Sequence, residues 1–381
     1  MLDAKTRERD FPSLMKMNYL NTAAEGIPPK VVGAALEQYA RDKLLGMDGR
    51  GPHFAELEAA RSLTAEFFGL TTAEVAICSC SSEAFNLAAL ALQLAAGDEV
   101  VINDLDYPAG TTPWLQANCP ATVRIWPSRA GELHVADLIP LLGTRTRLVT
   151  TSLVSFFNGF RLSLPPVVEA VHAHSPALLA VDVTQALGRV PLELGGVDLI
   201  VSSTHKWIMA SHGGGLVGVP AVRAAEWTVP AGGWFHLHNQ MPLGPGRLDP
   251  VKSHAGAASF AVGMPNFPAI YAIRAALDYL QGVGVAAIET AARPLVQACY
   301  AGIKRLPIEM LTPAGDAIQA GIIAFAHPEM EAIQRKLHAA GIHVMATNGR
   351  VRIALHGYNT MANVEQFLET LAAALHDVNA G

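Results

Sequence analysis

Four short clusters in this 381-residue chain hold residue types that could do chemistry on an amine. The first lies in Asp198 to Pro220, where an apolar run, Leu199-Ile200-Val201, gives way to Ser202-Ser203-Thr204-His205-Lys206-Trp207. Three glycines, Gly213 to Gly215, then lead into a second apolar run through Val219. A lysine so placed can be held in a closed pocket where its ammonium is costly to keep charged. Its pKa then falls, and the neutral amine becomes a nucleophile suited to Schiff-base chemistry. A solvated surface lysine is the competing reading, because lysine is seldom buried without a partner.

The second cluster is Val181-Asp182-Val183-Thr184-Gln185. An aspartate directly after an apolar run must find a cationic partner or lose its charge, and a protonated pyridine nitrogen would be such a partner; a plain turn aspartate is the alternative. The third is Cys78-Ser79-Cys80-Ser81-Ser82-Glu83, a strand-to-helix turn. Free backbone N–H groups, the helix dipole and the Ser81 and Ser82 hydroxyls suit a phosphate, although Ser-Ser-Glu is equally an ordinary helix cap. In the fourth, Arg350 and Arg352 alternate on one face of the segment Gly349 to His356. One well-held guanidinium there would clamp a carboxylate in bidentate fashion, whereas two solvated strand arginines would do nothing.

The elements that must position these clusters follow from periodicity. Helical spacing runs over Val31 to Leu45 and Phe54 to Phe68, with Gly69 as a stop. Strands are predicted at Val75 to Cys78, Glu99 to Asn103, Thr122 to Trp126, Thr146 to Ser152 and Ala177 to Val181. Helices are predicted between them at Glu83 to Leu94, Thr111 to Ala117, Val135 to Leu142 and Pro165 to Ala173. Continuously apolar strands alternating with helices specify an α/β fold with a mostly parallel sheet covered on both faces. Ligands of such sheets bind beyond the carboxyl ends of the strands. From Val219 to Pro268 the pattern loosens, and a segment that long and irregular is more often functional than structural. Helices return at Ala269 to Gln281, Ala286 to Lys304, Glu329 to Ala340 and Met361 to His376, with strand-like Ile318 to Ala326 and Arg350 to His356 among them. This second pattern fits a smaller α+β unit.

Composition sets further bounds. The chain is 51% hydrophobic and 16% charged, with a net charge of −6, which indicates a large core and no nucleic-acid surface. The N-terminus lacks an apolar signal segment and no apolar run approaches a membrane span, so a cytoplasmic protein is expected. The four cysteines form no CxxC pair, and the 14 histidines show no convincing metal spacing. His212, His236, His238 and His254 crowd the loose segment, where they would line a substrate mouth.

Taken together, Ser-Ser-Glu, Asp182-x-x-Gln185, Ser-Thr-His205-Lys206 and a late strand arginine before Tyr358-Asn359-Thr360 resemble the class V aminotransferase group of fold-type-I pyridoxal-phosphate enzymes. The similarity extends from Tyr19-Leu20-Asn21 to the last helix. It implies a large domain, residues 19–260, with the seven-stranded sheet of that class, and a small domain made of residues 1–18 and 261–381. It also implies pyridoxal 5'-phosphate as cofactor and a homodimer with shared active sites. Lys206 would be the lysine that carries the cofactor. Asp182 would pair with the ring nitrogen, Gln185 would reach the phenolic oxygen and Tyr107 would stack on the ring. Ser81, Ser82, Ser203 and His205 would hold the phosphate, and Arg352, with Asn21 beside it, would hold the substrate.

This sequence departs from the family at several points. Cys80 stands where glycine is common, and Met264 stands after Gly263 where many members have a threonine supplied by the partner subunit; the backbone of Gly263 and Met264 is what remains for that contact. Phe156 replaces a desulfurase asparagine, while Ser155 to Arg161 resembles the epimerase-like branch, with Asn158 near the cofactor. A desulfurase needs a thiolate on the loop before the arginine strand, and Gly341 to Gly349 holds no cysteine. The resemblance therefore implies an enzyme acting on an amino acid by Cα deprotonation, transamination first, with an epimerase or carbon–sulfur β-lyase as alternative. A nucleotide-binding oxidoreductase fits less well, because the glycine run precedes a strand and no G-x-G-x-x-G occurs.

Overall fold

The computed structural model describes residues 3–235, 250–315 and 319–380, with the side chains of the last two of these left aside. In chain order the first half contains α1 (Ala4–Asp10), β1 (Asn18–Tyr19), α2 (Lys30–Lys43), α3 (Arg50–Phe68), β2 (Val75–Cys78), α4 (Ser81–Leu92), β3 (Glu99–Asn103), α5 (Pro108–Thr111), β4 (Thr122–Trp126), α6 (Val135–Leu138), β5 (Thr146–Ser152), α7 (Leu164–His174) and β6 (Leu178–Asp182). The second half adds β7 (Leu199–Ser203), β8 (Gly215–Gly218), α8 (Phe267–Val283), α9 (Val285–Lys304), β9 (Glu309–Met310), β10 (Ile322–Ala326), α10 (Met330–Ala339), β11 (Ile342–His343), β12 (Met345–Thr347), β13 (Arg350–Ala354) and α11 (Met361–Ala380).

Seven strands form the large sheet in the order β2-β8-β7-β6-β5-β3-β4. All its pairs are parallel except those of β8, which runs against both β2 and β7. Strands β3, β6, β7 and β8 are buried along their whole length, as expected of strands with helices on both faces. The glycine run explains the reversal. Gly213 has φ +86, a conformation open to glycine, and lets the chain double back from β7 into β8. The parallel strands thus end on one edge, and the connections beyond them carry three of the four chemical clusters.

The arginine cluster comes from a second sheet, β12-β13-β10-β9, which is antiparallel throughout. β13 is fully buried within it, and β12 meets it through an Asn348-Gly349 turn in which both residues have positive φ. Gly341 to Gly349, expected as a plain loop, is therefore the short strands β11 and β12. A separate core from α9, α10, α11 and this sheet includes Leu295, Phe325, Leu337, Ile353 and Phe367. α8, assigned from sequence to the small domain, instead buries Ile270, Ile273, Leu277 and Leu280 in the core of the large sheet. The helix expected at Thr111 to Ala117 lies earlier, at Pro108–Thr111, because Pro108 supplies the fixed φ of a first helical position. Among the described residues of the loose segment there are only short 3-10 turns, Ala221–Arg223 and Gly256–Phe260; His236 and His238 lie outside the described residues. No helix among the described residues is long and apolar enough to cross a membrane.

Candidate active site

Just beyond the carboxyl ends of the parallel strands lies a small cleft. Ser81, Tyr107, Ser152, Asp182, Ser203 and Lys206 line it, with Val154, Phe156, Thr184 and Gln185 completing the wall. Five connections of one sheet edge thus converge, those that follow β2, β3, β5, β6 and β7.

Lys206 is buried, with its Nζ 4.8 Å from the centre of the Tyr107 ring. Burial lowers its pKa to about 8; the Asp182 and Glu25 carboxylates oppose that shift and the Arg352 guanidinium adds to it. A tight turn fixes its backbone. The Met209 N–H donates to the Lys206 carbonyl at 3.0 Å with Met209 at φ +63, and the Gly26 N–H donates to His205 O at 2.8 Å. Gly26 is packed so closely that a Cβ there would stand 1.9 Å from the Lys206 carbonyl oxygen.

Asp182 is buried at the end of β6, where its Oδ1 accepts from the Thr184 N–H at 2.8 Å. Burial raises its pKa, while the Thr184 hydrogen bonds and the Lys206 charge oppose the rise. Behind it stands a second carboxylate not singled out from sequence. Asp106 accepts from the Ser152 N–H at 2.7 Å and from Asn103 Nδ2 at 2.9 Å, and burial pushes its pKa up to about 7, with Asp182 repelling it. Its signal in the sequence was position alone: it follows β3 as Asp182 closes β6.

At the other end of the cleft the Ser203 hydroxyl donates to Ser81 Oγ at 2.8 Å, and the Ser203 N–H donates to Thr184 Oγ1 at 2.9 Å. α4 begins here with Cys80 as its cap, the Cys80 Sγ accepting from the Glu83 N–H at 3.4 Å. Glu83 reaches back to the Ser79 N–H at 2.6 Å, a reciprocal cap that fixes the first turn and its unpaired N–H groups. Ser82 is exposed and outside the cleft wall. Gln185 accepts from Trp207 Nε1 at 2.6 Å and donates to Ala23 O at 3.0 Å, which holds its amide against the wall.

Several residues named from sequence lie elsewhere. His205 is outside the cleft wall and stacks on His212 at 4.2 Å; burial, aided by Lys206 and His212, drives its pKa down to about 4. His212 in turn meets Glu25 at 3.0 Å, and His254 lines a different cavity with Phe54 and Phe235. Asn158 does not reach the cleft: its amide donates to Gly131 O at 2.8 Å and Leu311 O at 3.2 Å, and its oxygen accepts from the Phe160 N–H at 3.0 Å. These bonds tie a loop to the second sheet and take up the side chain. Gly263 and Met264 are exposed and line a separate cavity with Cys78, Ser79 and Glu83.

Arg352 is buried, donates from Nη1 to Phe156 O at 2.8 Å and leaves its Nε without a partner. Burial and the neighbouring Arg350 push its pKa down to about 10, against the pull of Tyr107. Asn21 bridges to Ala354 at the end of the same strand and has a buried Oδ1 with no partner.

The donor set fits pyridoxal phosphate. A buried amine and a buried carboxylate act on each other across one cleft, an aromatic ring overhangs the amine, and two hydroxyls stand at the start of a twelve-residue helix. Fold and site together define a fold-type-I pyridoxal-phosphate enzyme. The chain belongs to the aminotransferase class-V family, whose model matches residues 18–367, and is a pyridoxal-phosphate-dependent enzyme acting on amino acids. It is similar to an uncharacterized aminotransferase, YcbU, of Bacillus subtilis (strain 168), at 26% identity over 95% of this chain and 96% of that one. It is also similar to a cysteine desulfurase of Yersinia pestis bv. Antiqua (strain Angola), at 30% identity over 83% of this chain and 80% of the relative. Among solved structures it superposes on apo cysteine desulfurase from Thermococcus onnurineus NA1 with a TM-score of 0.88 at 21% identity, covering 98% of each chain. The cystine C–S lyase C-DES gives a TM-score of 0.86 at 23% identity, over 95% of this chain and 99% of that one.

Proposed function

We propose that the chain is an amino-acid aminotransferase in which Lys206 is the catalytic base. The observation that carries this reading is the Lys206 amine itself, buried in the cleft beside Tyr107 and across from Asp182 with its pKa lowered to about 8. Bound there, pyridoxal phosphate supplies an electron-withdrawing ring that stabilises negative charge at the substrate Cα.

The protein's own residues do the rest. Lys206 Nζ, its pKa lowered by burial, takes the Cα proton. Asp182, at the end of β6 on the cleft wall, would pair with a protonated ring nitrogen. Gln185 and Tyr107 bound the ring position. Ser81, Ser82, Ser203 and the first turn of α4 provide phosphate donors, with His205 at their margin. Arg352 and Asn21 orient the substrate by its α-carboxylate. Desulfuration is disfavoured because Cys299 is buried in α9 with its thiol pushed far up, Cys78 is pushed up to about 12 by burial, and β11 and β12 carry no cysteine.

A homodimer is part of the proposal. The exposed Gly263 and Met264, unable to reach their own chain's cleft, are supplied to the neighbour's. The large unit 19–260 and the small unit 1–18 with 261–381 remain the proposed division, with α8 packing as part of the larger core, and a cytoplasmic location is proposed with it.

The test is product analysis of the cofactor-loaded protein with a panel of amino acids. Keto-acid formation that requires an added keto-acid acceptor supports transamination. Turnover without acceptor, giving ammonia or sulfide, assigns the lyase alternative, and inversion at Cα the epimerase.

A further inference from the structure

Arg350 is a buried cation that the proposed chemistry does not use. Its Nη1 makes only a long contact, 3.4 Å, to Thr347 O, and its Nε and Nη2 have no partner. No carboxylate among the described residues pairs with either Arg350 or Arg352. What Arg350 touches is aromatic: its guanidinium carbon lies 4.4 Å from the Phe157 ring centre and 5.5 Å from that of Phe156. Cation–π contact returns only part of what burying a guanidinium costs, which leaves Arg350 with an unmet demand for an anion.

The placement says which anion. Strand residues two apart share a face about 7 Å apart, so Arg350 and Arg352 present their side chains together. Phe156 joins them to the cleft: it lines the wall, meets Tyr107 edge-on at 5.0 Å, accepts from Arg352 through its carbonyl and lies against Arg350 with its ring.

We propose that Arg350 is a specificity-determining residue that binds a second acidic group, a carboxylate or sulfinate, at the far end of an amino-acid substrate whose α-carboxylate is held by Arg352. The preferred substrates are then amino diacids. This rests on the aminotransferase reading for the identity of the α-carboxylate site.

The test compares L-aspartate and L-cysteine sulfinate with L-alanine on the cofactor-loaded enzyme, reading kcat/KM and the amino-acid-induced change in the cofactor absorbance. In parallel, thermal shift compares the unreactive probes succinate and propionate. The wild type should favour the diacids and gain more from succinate than from propionate. Arg350→Met, which keeps the apolar stem, should lower the aspartate-to-alanine ratio of kcat/KM by ~tenfold or more and abolish the succinate advantage, while Arg350→Lys retains part of both. A wild type that favours alanine, or an Arg350→Met that reduces every substrate equally, overturns the proposal and leaves Arg350 as a brace for Phe156 and Phe157. Should Arg350→Met fail to fold, the wild-type probe pair decides: equal shifts from succinate and propionate overturn it. An absence of any amino-acid effect on the absorbance overturns the aminotransferase reading instead, and the probe pair still reports on Arg350.

Discussion

The Lys206 Nζ lies 4.8 Å from the centre of the Tyr107 ring, so the amine and the aromatic face each other across the space a flat cofactor would enter. Tyr107 follows β3 and Lys206 follows β7, and the two meet only because both strands end on the same edge of the sheet. Replacing Tyr107 with Leu should weaken cofactor binding by about three- to tenfold, the worth of an aromatic contact beyond its area, while Tyr107→Phe retains it. Equilibrium dialysis of pyridoxal phosphate against the two variants measures the difference.

A buried lysine whose pKa falls to about 8 destabilises the cofactor-free fold. The unfolded chain holds this proton up to the ordinary lysine value of 10.5, so between pH 8 and 10.5 the unfolded state binds more protons and stability rises with pH. Below pH 8 the penalty is present in full, about 3 kcal/mol from the size of the shift. Lys206→Met should therefore stabilise the apo protein by up to that amount at pH 7, and the gain should shrink as pH rises toward 10.5. Urea unfolding across this range checks it; a variant less stable than the wild type at pH 7 contradicts it.

Asp106 predicts the opposite slope. Its carboxyl is held up at about 7, so the folded state keeps a proton that the unfolded state has already lost above the ordinary aspartate value of 3.8. Its contribution to stability is present in full below pH 4 and is lost as pH rises through 7. Asp106→Asn should flatten this part of the stability curve, which the same unfolding series would resolve.

Gly26 is the position where packing leaves no room beside the lysine. A Cβ 1.9 Å from the Lys206 carbonyl oxygen forces the turn to move, and Gly26→Ala should cost about 1–3 kcal/mol and most of the activity. The corresponding change at Gly33, which lies inside α2 with open space around it, should leave turnover unchanged and raise stability in urea unfolding by about 0.5–1 kcal/mol.

Arg189 and Glu289 form a buried ion pair, and Arg189 Nε also donates to Leu355 O at 3.0 Å, just past the strand that bears Arg352. Glu289→Ala leaves Arg189 uncompensated and should destabilise the fold by about 3–5 kcal/mol. In folded samples at low temperature the KM for substrate should rise more than kcat falls, because the arginine strand loses an anchor.

Much of the large sheet was legible because its strands are continuously apolar; β2, β3, β4 and β5 fall within the residues their hydrophobic runs define. Asp182 stood out because it follows such a run directly, and Lys206 because it stands in the polar turn between two such runs. Short pieces were not legible. β1, β9 and β11 are two residues each and carry no period, although the Asn348-Gly349 turn was a hairpin signal left unread. α8 could not be assigned to a core from sequence, since its apolar face reads the same whichever sheet it covers. Asn158 and His205 sit at the loop positions the motifs give, and their local partners were not legible: the Asn158 amide donates to Gly131 and Leu311, and His205 stacks on His212. Asp106 carried no signal of its own and Arg350 was legible only as the partner of Arg352 on one strand face, because their surroundings, a second buried carboxylate and a pair of phenylalanines, come together only in the fold.

The central claim is that Lys206 holds the cofactor. Purified protein is loaded with pyridoxal phosphate, reduced with borohydride, digested and mapped by mass spectrometry, with Lys206→Ala as the comparison. The account predicts a visible-edge absorbance band lost on reduction, with the pyridoxyl label on Lys206 and no fixed label in the variant. A label on another lysine, or a protein that stays colourless with added cofactor, would contradict it.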